Sequence, residues 1–172
     1  MQLSQFVGMY LAESWATLYM VLISSTISYA IGIPLGVILV ATEQGGIAPC
    51  RIVHGILGFI TNIFRTIPFL ILLVMVLPLT KLLVGTTLGP RAIIPPLIIA
   101  SAPYIARMVE SSLKEVDAGV IEAAKSMGAS NWQIIRMVLL PEARPSLYVG
   151  AAICITTILS YSAMAGFVGG GG

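Results

Sequence analysis

Between Glu13 and Glu43 the chain carries no charged side chain. Few features constrain a fold more. A helix needs only about 20 apolar residues to cross about 30 Å of hydrocarbon, and this stretch exceeds that length. The whole protein has 172 residues, of which 58% are hydrophobic and 9% charged. Soluble domains average about 25% charged residues, and so small a chain could not cover that much apolar surface in water. The reading that follows is an all-α, polytopic membrane helix bundle.

Four spans are expected. The first covers residues 14–41 and contains Gly32-Ile33-Pro34-Leu35-Gly36. Small residues four apart let another helix approach closely, and Pro34 is expected to kink the helix. A Gly- and Pro-containing loop, TEQGGIAPCR, follows. Beyond it Ile52, Ile56, Phe59 and Ile63 fall on one helical face, with His54, Thr61 and Asn62 turned away. That pattern suits an interfacial amphipathic segment feeding a second span at 64–83. Arg65 and Lys81 flank an uncharged stretch of only about 24 Å, so both are expected to snorkel toward the headgroups.

The third span, 92–108, holds Pro95, Pro96 and Pro103. Prolines inside a spanning helix need support from neighbouring helices or water, so this element is expected inside the bundle and irregular. The fourth, 147–168, is charge-free and rich in small residues: Gly150, Ala151, Ala152, Ser162 and Gly166. The connection between the last two spans carries Lys114, Lys125, Arg136 and Arg144, with Arg107 at its edge, and the first loop carries Arg51. The positive-inside bias places both loops in the cytoplasm and the N-terminus outside.

Residues 117–141 are the polar exception. Asp117 suits the N-cap of a helix over 118–127, and Gly128 stands where a C′ glycine ends one. Ser130 with Gln133 forms a capping box for a second helix, which Pro141 is expected to stop near Leu140. The resulting hairpin exposes Glu122, Lys125 and Ser126 around Ala123 and Ala124, whose small size permits another protein to approach closely.

No catalytic constellation accompanies it. The chain has no Gly-x4-Gly-Lys-Ser/Thr phosphate loop and no HExxH, and each acidic residue is expected in a loop or at a span boundary. His54 is the only histidine, and Cys50 and Cys154 read as free thiols. The expectation is no enzyme, no cofactor, no metal and no nucleic-acid partner. The bilayer is the one partner that composition itself demands.

The spacing Glu122-Ala123-Ala124-x3-Gly128-x9-Val138-x-Leu140-Pro141 resembles the EAA loop of binding-protein-dependent ABC importer permeases, with Val138 where the family usually has isoleucine. NIFRTIPFLILL from Asn62, APYIARMVESSL from Ala102, EAAKSMGASNWQI from Glu122 and the closing SYSAMAGFVGGGG are similar to the methionine-importer branch. The likeness runs from Ser14 onward. It implies the type I ABC importer permease fold, with five spans rather than four, in the bacterial inner membrane. It implies uptake of D- and L-methionine by ATP-driven alternating access. The implied partners are two ATP-binding subunits, a second permease copy in a homodimer and a substrate-binding lipoprotein. Glu122, Ala123, Ala124, Gly128, Leu140 and Pro141 are the implied ATPase-coupling residues, and no substrate-binding residue can be assigned. Permeases for other amino acids carry similar loops, which keeps another amino acid as the alternative substrate, and a non-transporting scaffold as a remoter reading. Gly169 to Gly172 suit a turn between spans, so the chain is expected to stop before a fifth helix.

Overall fold

The computed structural model describes residues 2–166 and residue 169, with side chains from residue 6 onward. Among the described residues the regular structure is entirely helical: α1 (Gln2–Thr42), α2 (Arg51–Thr66), α3 (Phe69–Val84), α4 (Pro90–Lys114), α5 (Ala118–Ser126), α6 (Asn131–Ile134), α7 (Leu140–Glu142) and α8 (Arg144–Ala165). A π-helical stretch, Ile135–Leu139, joins α6 to α7. The fourth expected span reached past Gly166, and that part, like the glycine run other than Gly169, lies outside the described residues.

Helix α4 is the hub, packed against α1, α2, α3 and α8. Most of its apolar stretch is buried inside the protein, against under a third of that of α1 and α8. Its contact with α1 is the most extensive, and the sequence explains why. A Cβ built on Gly32 would lie 2.6 Å from Ile105 Cγ2, and one on Gly36 2.6 Å from the Ala106 carbonyl oxygen. Only a bare backbone fits, so the small-xxx-small pair is the seam along which α1 seats on α4. Ser28 and Ser101 share a hydrogen bond of 2.6 Å inside this seam.

Three expectations change. First, α4 is one continuous helix through Pro95, Pro96 and Pro103 and runs on to Lys114, beyond the expected end at 108. Each proline removes a ladder donor, but the surrounding helices hold the segment in place. Second, Glu110 consequently sits in the last two turns of the helix, 5% exposed, rather than in a loop. It pairs with Arg107 at 2.6 Å and Lys114 at 2.9 Å, and Lys114 also reaches Glu43 at 2.9 Å. Arg107 donates its second terminal nitrogen to the Gly58 carbonyl at 2.8 Å. One charged cluster therefore ties α4 to the end of α1 and the middle of α2. Burial of a carboxylate is tolerable only with such partners.

Third, the boundary between the amphipathic segment and the span that follows it lies at Pro68 rather than at residue 64. The residue before a proline is pushed out of the α region. Ile67, before Pro68, is extended (φ −76°, ψ 123°), so α2 ends at Thr66 and α3 starts at Phe69, bent by 109° from it. Phe64 and Arg65 thus belong to α2. Three described helices are long and apolar enough to cross a bilayer, and the bent α2–α3 pair, taken as one broken span, would make a fourth.

Helix α2 is amphipathic the wrong way round for water. Ile52 and Phe59 are 74% and 66% exposed, whereas Gly58 and Thr61 are buried. His54 Nδ1 meets the Leu39 carbonyl at 2.9 Å, so the lone histidine is a structural contact with α1. An outward apolar face with an inward polar one is stable only where the outside is hydrocarbon.

Candidate functional site

The polar hairpin is built by local chemistry alone. Asp117 Oδ1 accepts from the Gly119 amide at 2.7 Å, capping α5. At the other end the Gly128 amide donates to Lys125 O (2.9 Å) and the Ala129 amide to Ala124 O (3.1 Å). Those two bonds are the Schellman pattern, which requires a left-handed residue between them. Gly128, at φ +80°, is that residue. Ser130 then opens α6 with both halves of a capping box: its hydroxyl accepts from the Gln133 amide, and its own amide donates to Gln133 Oε1 at 2.8 Å.

Pro141 does not stop the second arm. A proline cannot donate to the carbonyl four residues back and its ring crowds that carbonyl. The backbone answers by widening: the Leu140 amide bonds to Ile135 O, five residues back, and Pro141 becomes an early residue of α7. Ala143 donates to Leu139 O and Leu147 to Ala143 O, so the path from α6 into α8 stays helical almost throughout. Wide turns of this kind often mark functional segments. Here the turn makes the hairpin's second arm a near-rigid extension of α8, while its first arm hangs from α4 across residues 115–117.

The expected site residues divide into two sets. Glu122, Ala123 and Gly128 are exposed on the hairpin, beside Lys125 and Ser126. Ala124 is 4% exposed and faces inward with Ile134 and Leu139. It therefore closes the hairpin on itself and offers nothing to a visiting surface, because the Schellman turn points this residue at the second arm. Leu140 and Pro141 are half-buried where the chain re-enters the bundle.

The sequence reading missed three residues. Met127, Trp132 and Met137 are 82%, 67% and 69% exposed on this otherwise polar element. Their signal was available. Ile121, Ala124, Ile134 and Leu139 satisfy the inward positions, which leaves these three large apolar side chains pointing away. Aromatic residues and methionine are enriched in protein interfaces, and methionine adapts readily to an irregular partner. Glu122, Lys125 and Arg136 supply charges around them.

No group of three or more metal-ligating side chains occurs among the described residues, and Cys50 and Cys154 are both free. The hairpin has the makings of a docking element, and none of a reaction centre.

Comparison with known proteins agrees along nearly the whole length. Residues 32–172 match the family described as binding-protein-dependent transport system inner membrane component. The chain is 51% identical over 162 residues to the probable D-methionine transport system permease protein MetI of Vibrio cholerae, covering 94% of this chain and 72% of that protein. It is 48% identical over 152 residues to the D-methionine transport system permease protein MetI of Escherichia coli K12, covering 88% and 70% respectively. A solved structure of the MetNI methionine ABC transporter in an inward-facing conformation superposes with a TM-score of 0.94 at 46% identity, over 98% of this chain and 78% of that one. An amino acid ABC transporter solved with histidines shares the fold, with a TM-score of 0.78 at 19% identity.

Proposed function

This chain belongs to the binding-protein-dependent transport system inner membrane components, and on that premise we propose that it is the permease subunit of an ABC importer that takes up methionine. The observation that carries the substrate is the identity of about half, over 94% and 88% of this chain and 72% and 70% of theirs, to permeases named for D-methionine transport. Hydrolysis of ATP belongs to separate subunits, since this chain has no phosphate loop of the Walker type. A second copy of the permease completes the pathway, and a binding protein delivers methionine to its outer side.

In this reading the hairpin faces the cytoplasm and the N-terminus lies outside, as the cation distribution favours. Four spans cross the bilayer, with α2 and α3 together forming the second. Glu122, Ala123 and Gly128, joined by Met127, Trp132 and Met137, make the face that seats on an ATP-binding subunit. Ala124, Leu140 and Pro141 serve that face from behind, by fixing the hairpin's shape and its continuity with α8. Closure of the ATP-binding subunits would draw the hairpins together and, through α8 and α4, turn the two permease halves. Such a cycle shifts only as far as ATP binds one state more tightly than the other.

The deciding experiment is uptake by vesicles containing the permease, its ATP-binding subunits and the binding protein. Labelled L- and D-methionine should accumulate only with internal ATP, and other labelled amino acids should not. Accumulation of a different amino acid in preference to methionine would overturn the substrate, and ATP-independent equilibration would overturn the importer.

A further inference from the structure

The one buried carboxylate among the described residues, Glu110, lies in a paired cluster. Glu110, Arg107, Lys114 and Glu43 are all paired. Arg65 at the end of α2 and Glu115 just past α4 are both exposed and, like several other surface charges, make no side-chain hydrogen bond or ion pair among the described residues. Both line one cleft of about 330 Å³ between α2, α4 and α8. Its volume falls within the range of small-ligand pockets, about 300–1,000 Å³. Along the cleft the Ser111 and Ser146 hydroxyls stand beside an apolar wall that includes Met108 and Ile153.

The contents of the cleft read as three kinds of recognition in one place: an uncommitted cation, an uncommitted carboxylate and an apolar surface. A ligand matching all three carries a negative group, a positive group and a long apolar arm. We propose that this cleft is a site for the zwitterion of an amino acid with a long apolar side chain. Arg65 receives its carboxylate, Glu115 its ammonium, and Met108 and Ile153 its side chain. Arg107 is already held by Glu110 and the Gly58 carbonyl, so it shapes the wall and lends positive potential instead of gripping the ligand. The assignment rests on the importer reading and deepens it by naming where the permease itself touches its substrate.

The test uses the assembled transporter, free of nucleotide, with Cys50→Ser to remove the half-exposed native thiol and Ser111→Cys as reporter. The rate of maleimide modification is measured alone, with L-methionine, with methioninol (no carboxylate) and with 4-(methylthio)butanoate (no ammonium). L-methionine at ten times its dissociation constant should slow the reaction about tenfold, and neither analogue should match it. Arg65→Gln should abolish protection, and Arg65→Lys should keep part of it, which separates loss of charge from loss of fold. Equal rates with and without methionine, an unreactive reporter, or full protection by methioninol would each overturn the site. Labelled methionine uptake is measured on the same preparation. Uptake without protection defeats the cleft alone, whereas absent uptake defeats the importer reading and the cleft with it.

Discussion

The α1–α4 seam and the polar hairpin are built from similarly small residues and tolerate opposite things. In the seam, glycines are there because a helix backbone lies against them: Gly36 faces the Ala106 carbonyl and Val109 with no room for a methyl group. In the hairpin, Gly128 has open space around it and is required for its left-handed backbone instead. The seam is governed by volume, the hairpin by conformation and by what it presents outward. A substitution in the first should cost the fold, and one in the second should cost the function while the bundle survives.

The largest effect is expected from Gly36→Leu. Overpacking typically costs about 1–3 kcal/mol, and here the obstruction is a backbone carbonyl on the central helix, which cannot turn aside. Thermal unfolding in detergent should show a transition many degrees lower, or little folded protein at all. A near-native transition would mean that the seam can open, and would end the contrast.

Trp132→Ala comes next. An interface tryptophan seated in a partner's pocket is commonly worth about 2 kcal/mol or more. The variant should bind the ATP-binding subunits roughly thirtyfold more weakly by titration, a factor that corresponds to that energy, with the permease's own melting temperature unchanged. Unaltered affinity would remove Trp132 from the docking face.

Gly128→Val should follow. A β-branched residue held at positive φ costs on the order of 1–2 kcal/mol, which is modest for the bundle. Uptake should nevertheless fall far more than ATP hydrolysis, since a distorted turn misaligns the face. Vesicles in which both activities fall in step would argue that the turn matters only for stability. Ser130→Ala is the smallest, about 1 kcal/mol from the lost cap. It should appear as faster amide exchange confined to residues at the start of α6, with exchange in α1 and α4 unaffected.

Much of this could be read along the chain. The apolar runs, the amphipathic stretch before Pro68, the small-residue pair of α1 and each cap of the hairpin are set by residues within a turn or two of one another. The EAA spacing pointed at the hairpin for the same reason. Where the expectations failed, the deciding partner was distant. Pro68 and Pro141 each follow an apolar residue in a helical stretch, yet one breaks the helix by 109° and the other is absorbed in a π-helical turn. No neighbouring residue announces the difference, because a proline's lost hydrogen bond can be met by bending or by widening.

What the sequence determined by itself is the solvent and the local grammar: a chain this apolar must lie in lipid, and these caps must make this hairpin. What only the tertiary structure decided is which residues of different helices meet. It seated Gly32 and Gly36 of α1 on Ile105 and Ala106 of α4, joined Lys114 to Glu43 just past α1, and brought Arg65 and Glu115 to one cleft from opposite sides of α3 in the chain. Those outcomes depend on contacts between residues tens of positions apart. Periodicity reports that a face exists, and only packing says what it meets.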